Sequence, residues 1–411
     1  MNTTHAFRDL RLSPRPPRVC VGWAGRAARA LTTLASASVL AVGALALAPA
    51  PARAEDVITT QEYFSYYHLD TARAKGYTGK GVTIALIDGP VDTNAPELKG
   101  ASITDKSRCT IEAPNEDRIH ASDMASILVS PYFGVAPDAT LYSYQASTSS
   151  SVAEGTCQTD GEQSASVASL INRAIDDGAL IVSISLGGNL DNSDETKCAI
   201  ARAMSEGVMV VSSVGNNGRD ENNTHLSHWS GVVGVSAITA TGERASYSSW
   251  GNGVTTAAVG GPITARNYET GANESHSGTS NSAPLVAGML ALARQKWPNA
   301  TSNQTLQVLV DTGLNPNHEW NPYTGYGAAN IGDLVNTDPS QYPDENPLAQ
   351  KEGGSDPTAK DVQDYGDGVI DPRHVGAGDS YTYRGVDPVV FRDPGITTPI
   401  HVGTSPRYHR K

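Results

Sequence analysis

Three residues have the types and the order along the chain that nucleophilic catalysis needs: Asp88 in ALIDGPVD, His120 in HASDMASILVS and Ser280 in SGTSNSAPLVAG. A serine hydroxyl is a weak nucleophile until a base takes its proton, and a histidine base needs a carboxylate that orients its ring and stabilises the imidazolium. Asp–His–Ser is one of the chain orders in which this triad occurs. The sequence has no GxSxG motif, which disfavours a lipase or esterase with its serine on a strand-to-helix elbow.

Each of these residues also has a purely structural interpretation. An aspartate after a strand often caps the following turn, and a lone histidine is more often an ordinary surface or core residue. Ser280 begins a helix-like apolar run with Pro284 in its first turn, so it also suits an N-cap. The small residues Gly278 and Thr279 favour the catalytic interpretation, because the chain can approach closely there and a helix N-terminus stabilises developing negative charge.

Alternating strands and helices must hold these residues in place. Four short apolar runs rich in β-branched residues are typical of buried parallel strands. They cover residues 81–87, 180–184, 208–211 and 232–235. Helix-like stretches lie between them at residues 164–177 and 198–206. We therefore predict an α/β fold with a doubly wound, mostly parallel sheet flanked by helices, in which the chemistry collects at the carboxyl ends of the strands.

Residues 1–54 have the features of an export signal. A leader rich in arginine precedes an apolar run at residues 31–48, and Ala52-Arg53-Ala54 has the small-x-small pattern that signal peptidase cuts. We therefore predict a signal peptide cleaved near Ala54 and a secreted, extracellular protein. The alternative is an uncleaved membrane anchor, since the run is nearly long enough to span a bilayer. No later segment reaches about 18 uninterrupted apolar residues, so we expect no membrane span in the mature chain.

Charge and cysteine content limit the partners of the chain. The formal net charge of −13 divides into +6 for residues 1–54 and −19 for the other 357. A body this acidic is a poor candidate for binding nucleic acid, so we predict no such partner. Export permits disulfides, and Cys109, Cys157 and Cys198 allow one bridge whose pairing the sequence leaves open. None of them has the CxxC spacing of a zinc site, and no metal is predicted.

The composition changes after Thr337. Asp-Pro pairs recur with few apolar residues between them, so we predict that residues 338–411 form a Pro-, Asp- and Gly-rich tail of low order. Asp367-Gly368 is similar to part of a calcium loop, but the other ligand positions do not match, and we predict a simple turn rather than structural calcium. The 411 residues then divide into a signal peptide (1–54), one α/β domain (55–337) and the tail.

Several blocks together resemble the subtilisin-like serine peptidases, the subtilases, over roughly residues 61–337. IALIDGPVD is similar to the family's Asp block, HASDMASIL to its His block and SGTSNSAPLVAG, the most specific, to its Ser block. Gly89 stands where the family usually has Ser or Thr, and Asp123 stands where it has a second His. The further blocks that fit the family are GVAPDATLYSY, SISLGG, SSVGNNG, RASYSSWG and GYGAANI.

This resemblance implies a serine-type endopeptidase that acts through an acyl-enzyme intermediate. Ser280 would attack the peptide carbonyl, His120 would take and return the proton, and Asp88 would orient the imidazole. Asn216 and the Ser280 backbone N–H would bind the oxyanion. The residues that would line the primary pocket and bind an extended substrate are Ser185, Leu186, Gly187, Gly188, Ser213, Val214 and Gly215. The chemistry would require no cofactor, and we expect a monomer whose partner is a peptide or protein substrate.

The altered His block leaves alternatives open. One is a catalytically weak or inactive subtilase homologue that binds peptides in the cleft, which a long distance between His120 and Ser280 would favour. Another is a carboxylester hydrolase that uses the same triad. Asp123 lies one helical turn from His120, where it either raises the pKa of the histidine or faces solvent. The family's usual pro-domain is not evident before Asp88, as in some exported actinobacterial subtilases of secretion systems.

Overall fold

The structure is a computed structural model. It describes residues 57–107, 109–146, 152–153, 165–187, 193–221, 225–267, 269–316, 319–351, 356–370 and 400–401. The predicted signal peptide, Gly188 and Cys157 lie outside the described residues, so the predictions that involve them stay predictions.

The described residues contain the following elements. The strands are β1 (Thr83–Asp88), β2 (Ile103–Asp105), β3 (Ile111–Glu112), β4 (Thr140–Gln145), β5 (Val152–Ala153), β6 (Ile181–Ile184), β7 (Met209–Ser213), β8 (Val232–Ile238), β9 (Val254–Val259), β10 (Ile263–Arg266), β11 (Asn273–His276), β12 (Val369–Ile370) and β13 (Ile400–His401). The helices are α1 (Glu62–Tyr66), α2 (Leu69–Ala74), α3 (Asn115–Val129), α4 (Val167–Asp176), α5 (Asp194–Glu206), α6 (Thr279–Lys296), α7 (Ser302–Asp311), α8 (Ile331–Asn336) and α9 (Ala359–Asp367).

One parallel sheet of seven strands organises the fold. Its order is β2-β4-β1-β6-β7-β8-β9, and every neighbouring pair is parallel. The four strands predicted from apolar runs are β1, β6, β7 and β8, which are consecutive neighbours in this order. The described residues also form three small two-stranded antiparallel sheets, β3-β5, β10-β11 and β12-β13. The prediction of an α/β fold with a mostly parallel sheet is confirmed.

Helices cover both faces of this sheet. Successive side chains of β1 point to opposite faces, so Ile84 and Leu86 pack into the core beneath α3 and α6, whereas Ala85 and Ile87 pack into a second core beneath α4 and α5. All four side chains are fully buried, as expected for a strand covered by helices on both sides. The doubly wound arrangement predicted from the alternation of strands and helices is therefore confirmed.

The two predicted helices are present with shifted boundaries. The apolar run at residues 164–177 forms α4, and its N-cap is Ser166, whose side chain accepts from Ser169 N. The run at residues 198–206 is only the second part of α5, which begins at Asp194 after the N-cap Ser193. The polar first turn of α5 carries no apolar pattern, and its start depends on this cap instead.

The boundary predicted at residue 337 does not mark the end of the packed structure. Leu348, Lys351 and Tyr365 are all buried, and α9 packs against α5 with an ion pair of 3.2 Å between Lys197 Nζ and Asp361 Oδ1. In the described part of residues 338–370 the C-terminal extension therefore has packed elements, and most of residues 371–411 lie outside the described residues. The segment has no regular apolar pattern. It is held instead by a few buried side chains and by the capping box of α9, from Thr358 to Asp361.

The turn predicted at Asp367-Gly368 lies at the C-terminus of α9, where Gly368 adopts a left-handed conformation and ends the helix before β12. None of the helices in the described ranges combines the length and the apolar character that a membrane span requires.

Candidate active site

The predicted site residues meet at one edge of the sheet. Asp88 is the last residue of β1, Ser185 follows the last residue of β6, and Ser213 is the last residue of β7. Because β1, β6 and β7 are consecutive parallel strands, their carboxyl ends lie next to one another. This is the edge at which open α/β sheets bind ligands.

Asp88 and His120 form a hydrogen-bonded pair between β1 and α3. His120 Nδ1 lies 2.9 Å from Asp88 Oδ1, which also accepts from Gly89 N at 2.8 Å. A Cβ atom at position 89 would lie 2.8 Å from the backbone oxygen of Asp117, a distance that real Cβ atoms do not show. Glycine at position 89 therefore lets α3 approach the end of β1 closely.

The charges around His120 favour its protonated form. Burial by itself would lower the pKa of His120, but the charge of Asp88, the hydrogen bond to it and the charges of Asp123 and Asp117 raise that pKa to about 9. Asp123 is 8% exposed, so it does not face solvent, and burial raises its own pKa well above the usual range. Of the two roles considered for Asp123, the structure supports its influence on His120.

Ser280 is the second residue of α6 and is tied to the end of β6. Its hydroxyl donates to the backbone oxygen of Ser185 at 3.2 Å, and the Ser185 hydroxyl donates to the Ser280 backbone oxygen at 2.8 Å. The side chain of Ser280 is partly exposed, whereas Ser185 is 2% exposed. Ser280 is not the N-cap of α6, which is Gly278, so the structural interpretation of this serine as a helix cap is not what the structure shows.

Asn216 lies against the start of α6. Its Oδ1 accepts from Thr279 N at 2.8 Å and from Thr279 Oγ1 at 3.0 Å, while Thr279 Oγ1 also receives Gly215 N at 3.2 Å. These contacts fix the orientation of the side-chain amide and leave Nδ2 as its donor. Asn216 is exposed, and its side chain is bonded to Thr279, the residue immediately before Ser280 in the chain.

The predicted substrate-binding segments flank this arrangement. Ser213, Val214 and Gly215 are buried at the end of β7, so they form the wall of the site rather than an open surface. After β6, Leu186 is partly exposed and Gly187 is exposed, and a Cβ atom on Gly187 would meet no atom within 4 Å. The open space beside Gly187 suits a backbone that pairs with an extended peptide. Gly188 lies outside the described residues.

Sequence reasoning missed a buried polar cluster behind Asn216. Glu221 and His225 are 7% and 8% exposed, and Glu221 Oε2 lies 2.8 Å from His225 Nε2. Their i, i+4 spacing and the serine pair Ser248-Ser249 in RASYSSWG are visible in the sequence, but polar residues in a Gly- and Asn-rich stretch give no sign of burial. In the ranges that the structure covers, no three His, Cys, Asp or Glu side chains group as metal ligands would.

Comparisons with known proteins show which family this chain resembles. Residues 79–342 match the model of the Subtilase family. A thermostable alkaline protease of Halalkalibacterium halodurans is 31% identical over 254 residues, which cover 60% of this chain and 66% of the relative, slightly less than two thirds of its length. Subtilisin DY of Bacillus licheniformis is 28% identical over 270 residues, which cover 64% of this chain and 93% of the relative.

Among solved structures, the crystal structure of MycP1 from the ESX-1 type VII secretion system is similar to this chain with a TM-score of 0.56. The two share 22% sequence identity, and the match covers 70% of this chain and 89% of that one. At this identity the likeness concerns the fold alone.

Proposed function

The chain belongs to the Subtilase family of serine endopeptidases, and from that premise we propose that it cleaves peptide bonds through a triad of Asp88, His120 and Ser280. The observation that carries the proposal is the 2.9 Å contact between His120 Nδ1 and Asp88 Oδ1 at the edge of the sheet where Ser280 also lies. A carboxylate on Nδ1 orients the ring so that Nε2 can act as the base.

The reaction begins with the serine hydroxyl. In the resting structure Ser280 Oγ donates to Ser185 O, so the hydroxyl has to turn from that carbonyl to His120 before proton transfer. Ser280 Oγ then attacks the substrate carbonyl carbon, and His120 takes the proton and later gives it to the leaving amine. Asp88 stays ionised and stabilises the imidazolium. Water then attacks the carbonyl carbon of the acyl-enzyme while His120 takes its proton, and His120 returns that proton to Ser280 Oγ as the bond to the acyl group breaks and the carboxylic acid leaves.

The negative charge that develops on the substrate oxygen needs donors. Asn216 Nδ2 and the Ser280 backbone N–H would supply them, because Asn216 Oδ1 is held by Thr279 and Ser280 N lies in the first turn of α6. An extended substrate would pair with the backbone after β6, at Ser185, Leu186, Gly187 and Gly188, and its side chain would enter beside Ser213, Val214 and Gly215.

The setting of the enzyme is part of the same proposal. The signal peptide would be cleaved near Ala54, the protein would be secreted, and one disulfide would form among Cys109, Cys157 and Cys198. The chain would act on peptides or proteins as a monomer and would need no cofactor for the chemistry. N-terminal sequencing of the exported protein, light scattering on the purified chain and titration of its free thiols test these points separately.

Hydrolysis of a peptide library tests the activity. We expect the wild-type protein to cleave peptides and Ser280→Ala to be inactive. Asn216→Ala should lower kcat roughly 100- to 1000-fold with little change in KM, because the oxyanion forms only after the substrate has bound. Cleavage of simple esters without cleavage of any peptide would support a carboxylester hydrolase instead. Peptide binding by the wild type without turnover would support the binding-only homologue.

A further inference from the structure

A buried carboxylate lies behind the turn that carries Asn216. Both oxygens of Glu221 accept hydrogen bonds from described residues. Oε1 receives Asn217 Nδ2 at 2.6 Å and Arg219 Nε at 3.1 Å, and Oε2 receives Ser249 Oγ at 2.8 Å and His225 Nε2 at 2.8 Å. A buried charge is costly unless such donors satisfy it, so this cluster is a built feature rather than a chance contact.

The hydroxyl of Ser249 connects Glu221 to both sides of Asn216. Ser249 Oγ accepts from Asn217 N at 3.0 Å while it donates to Glu221, and Ser249 N donates to Gly215 O at 2.9 Å. The residues immediately before and after Asn216 are thus bonded to the same serine. The Ser249 hydroxyl has a single proton, which it donates in the hydrogen bond to Glu221. The orientation in which the hydroxyl oxygen accepts from Asn217 N is therefore fixed.

The carboxylate also packs directly against the backbone of the turn. Gly215 has a φ of +99°, and a Cβ atom on it would lie 2.5 Å from Glu221 Oε2 and 2.6 Å from His225 Nε2. Glycine is needed at this position both for the backbone conformation and for the space that the carboxylate and imidazole occupy. Glu221 itself is fixed in turn by its N–H, which donates to Trp250 O at 3.0 Å.

From these contacts we infer that Glu221 is a positioning residue for the oxyanion donor Asn216 and acts on it through Asn217 and Ser249. The inference rests on the proposed function and deepens it. Asn216 is exposed, so packing restrains the backbone of its turn little, and the bonds to Thr279 orient its side chain but do not hold that backbone. Oxyanion stabilisation depends on donors that are in place before the charge develops, so the turn needs support from behind.

The carboxylate keeps its charge at the pH of an ordinary assay. Burial by itself would raise the pKa of Glu221, but the hydrogen bonds from Asn217, Ser249, His225 and Arg219 lower it. A glutamine at 221 has nearly the same shape, but its amide group would donate where two of these donors need an acceptor. Glu221→Gln therefore removes the hold on the turn with the least change in volume.

Steady-state kinetics of the full-length secreted protein test the inference. The matched control is Glu206→Gln, since Glu206 is a similarly covered carboxylate that accepts from Arg202 Nε at 3.0 Å on α5. We expect Glu221→Gln to lower kcat roughly 10- to 100-fold, part of what loss of an oxyanion donor costs, with KM changed less than about threefold. Glu206→Gln should leave both constants as in the wild type.

A double-mutant cycle separates positioning from general damage. If Glu221 acts through Asn216, Glu221→Gln should cost no further activity in an Asn216→Ala background. Equal fold-losses in the two backgrounds would overturn the inference, as would a Glu221→Gln enzyme with wild-type kcat. Absence of turnover by the wild type would overturn the proposed function itself, and that result is visible before any variant is compared.

A milder variant covers the case in which Glu221→Gln does not fold. Ser249→Ala removes only the hydroxyl that joins Asn217 N to the carboxylate and leaves Glu221 with its other donors. We expect it to fold, as judged by near-UV circular dichroism, and to show a smaller loss of kcat that also disappears in the Asn216→Ala background. An additive loss for Ser249→Ala would overturn the inference equally.

Discussion

Ser280 and Ser185 exchange hydrogen bonds, each hydroxyl donating to the backbone oxygen of the other residue, at 3.2 Å from Ser280 Oγ and 2.8 Å from Ser185 Oγ. The start of α6 is thereby joined directly to the end of β6. The proposed nucleophile is thus positioned by the sheet and a buried helix rather than by a loop, which is the arrangement that precise catalytic geometry requires. The same contact means that the Ser280 hydroxyl donates to Ser185 O and must rotate before it can donate to His120.

The pH dependence of kcat/KM should report the protonation of His120. The imidazole must be neutral to accept a proton, and its carboxylate neighbours raise its pKa from the usual value near 6.5 to about 9. We therefore expect kcat/KM to keep rising from pH 7 towards pH 9 and to level off above that. A profile that has already reached its plateau at pH 7 would contradict this assignment.

Replacement of Asp123 by asparagine should change stability in a pH-dependent way. Burial raises the pKa of Asp123 well above the value near 4 of an unfolded chain, so the folded state binds the extra proton and the wild type loses stability as pH rises above about 4. Asp123→Asn lacks this loss. In a Ser280→Ala background that prevents self-digestion, urea denaturation should show a larger gain for Asp123→Asn at pH 7 than at pH 4. An equal difference in the free energy of unfolding between Asp123→Asn and its parent at pH 7 and at pH 4 would refute this prediction.

Lys351 gives the C-terminal segment a similar test. Its buried ammonium donates to Ser227 O and to Gly253 O at 2.9 Å, and burial lowers the pKa of Lys351 to about 7. The unfolded chain binds that proton up to about pH 10.4, so wild-type stability from this group rises between about pH 7 and that value. We expect the free energy of unfolding of the wild type, relative to that of Lys351→Met, to increase between pH 7 and pH 10. Denaturation of both proteins at the two pH values measures this difference. No gain would contradict the burial of this lysine.

The sequence patterns predict the sheet, which the structure confirms, and the proposed triad, because both depend on local signals. Buried parallel strands appear as apolar runs, and Asp88, His120 and Ser280 lie in short blocks whose residue types are set by the chemistry. The positions of Ser185 and Asn216 follow from the same blocks. These parts of the fold need no knowledge of distant contacts.

The remaining features depend on contacts between segments far apart in the chain. Glu221 and Ser249 are 28 residues apart and meet only because the turn after β7 lies beside the segment after β8. Lys351 is buried against carbonyls 124 and 98 residues away, and the polar composition of its segment gives no sign of these contacts. The close approach of α3 that Gly89 permits is likewise a contact between distant segments, and no local sequence pattern indicates it.

Active-site labelling with a fluorophosphonate probe tests the central claim most directly. The probe is attacked by an activated serine, and mass spectrometry of the digested protein identifies the modified residue. The proposed triad predicts a single adduct on Ser280 of the wild type, none on Ser280→Ala, and much slower labelling of His120→Ala, since the base is then missing. A folded wild-type protein that is not labelled at pH 9, or that is labelled at a residue other than Ser280, would contradict the account.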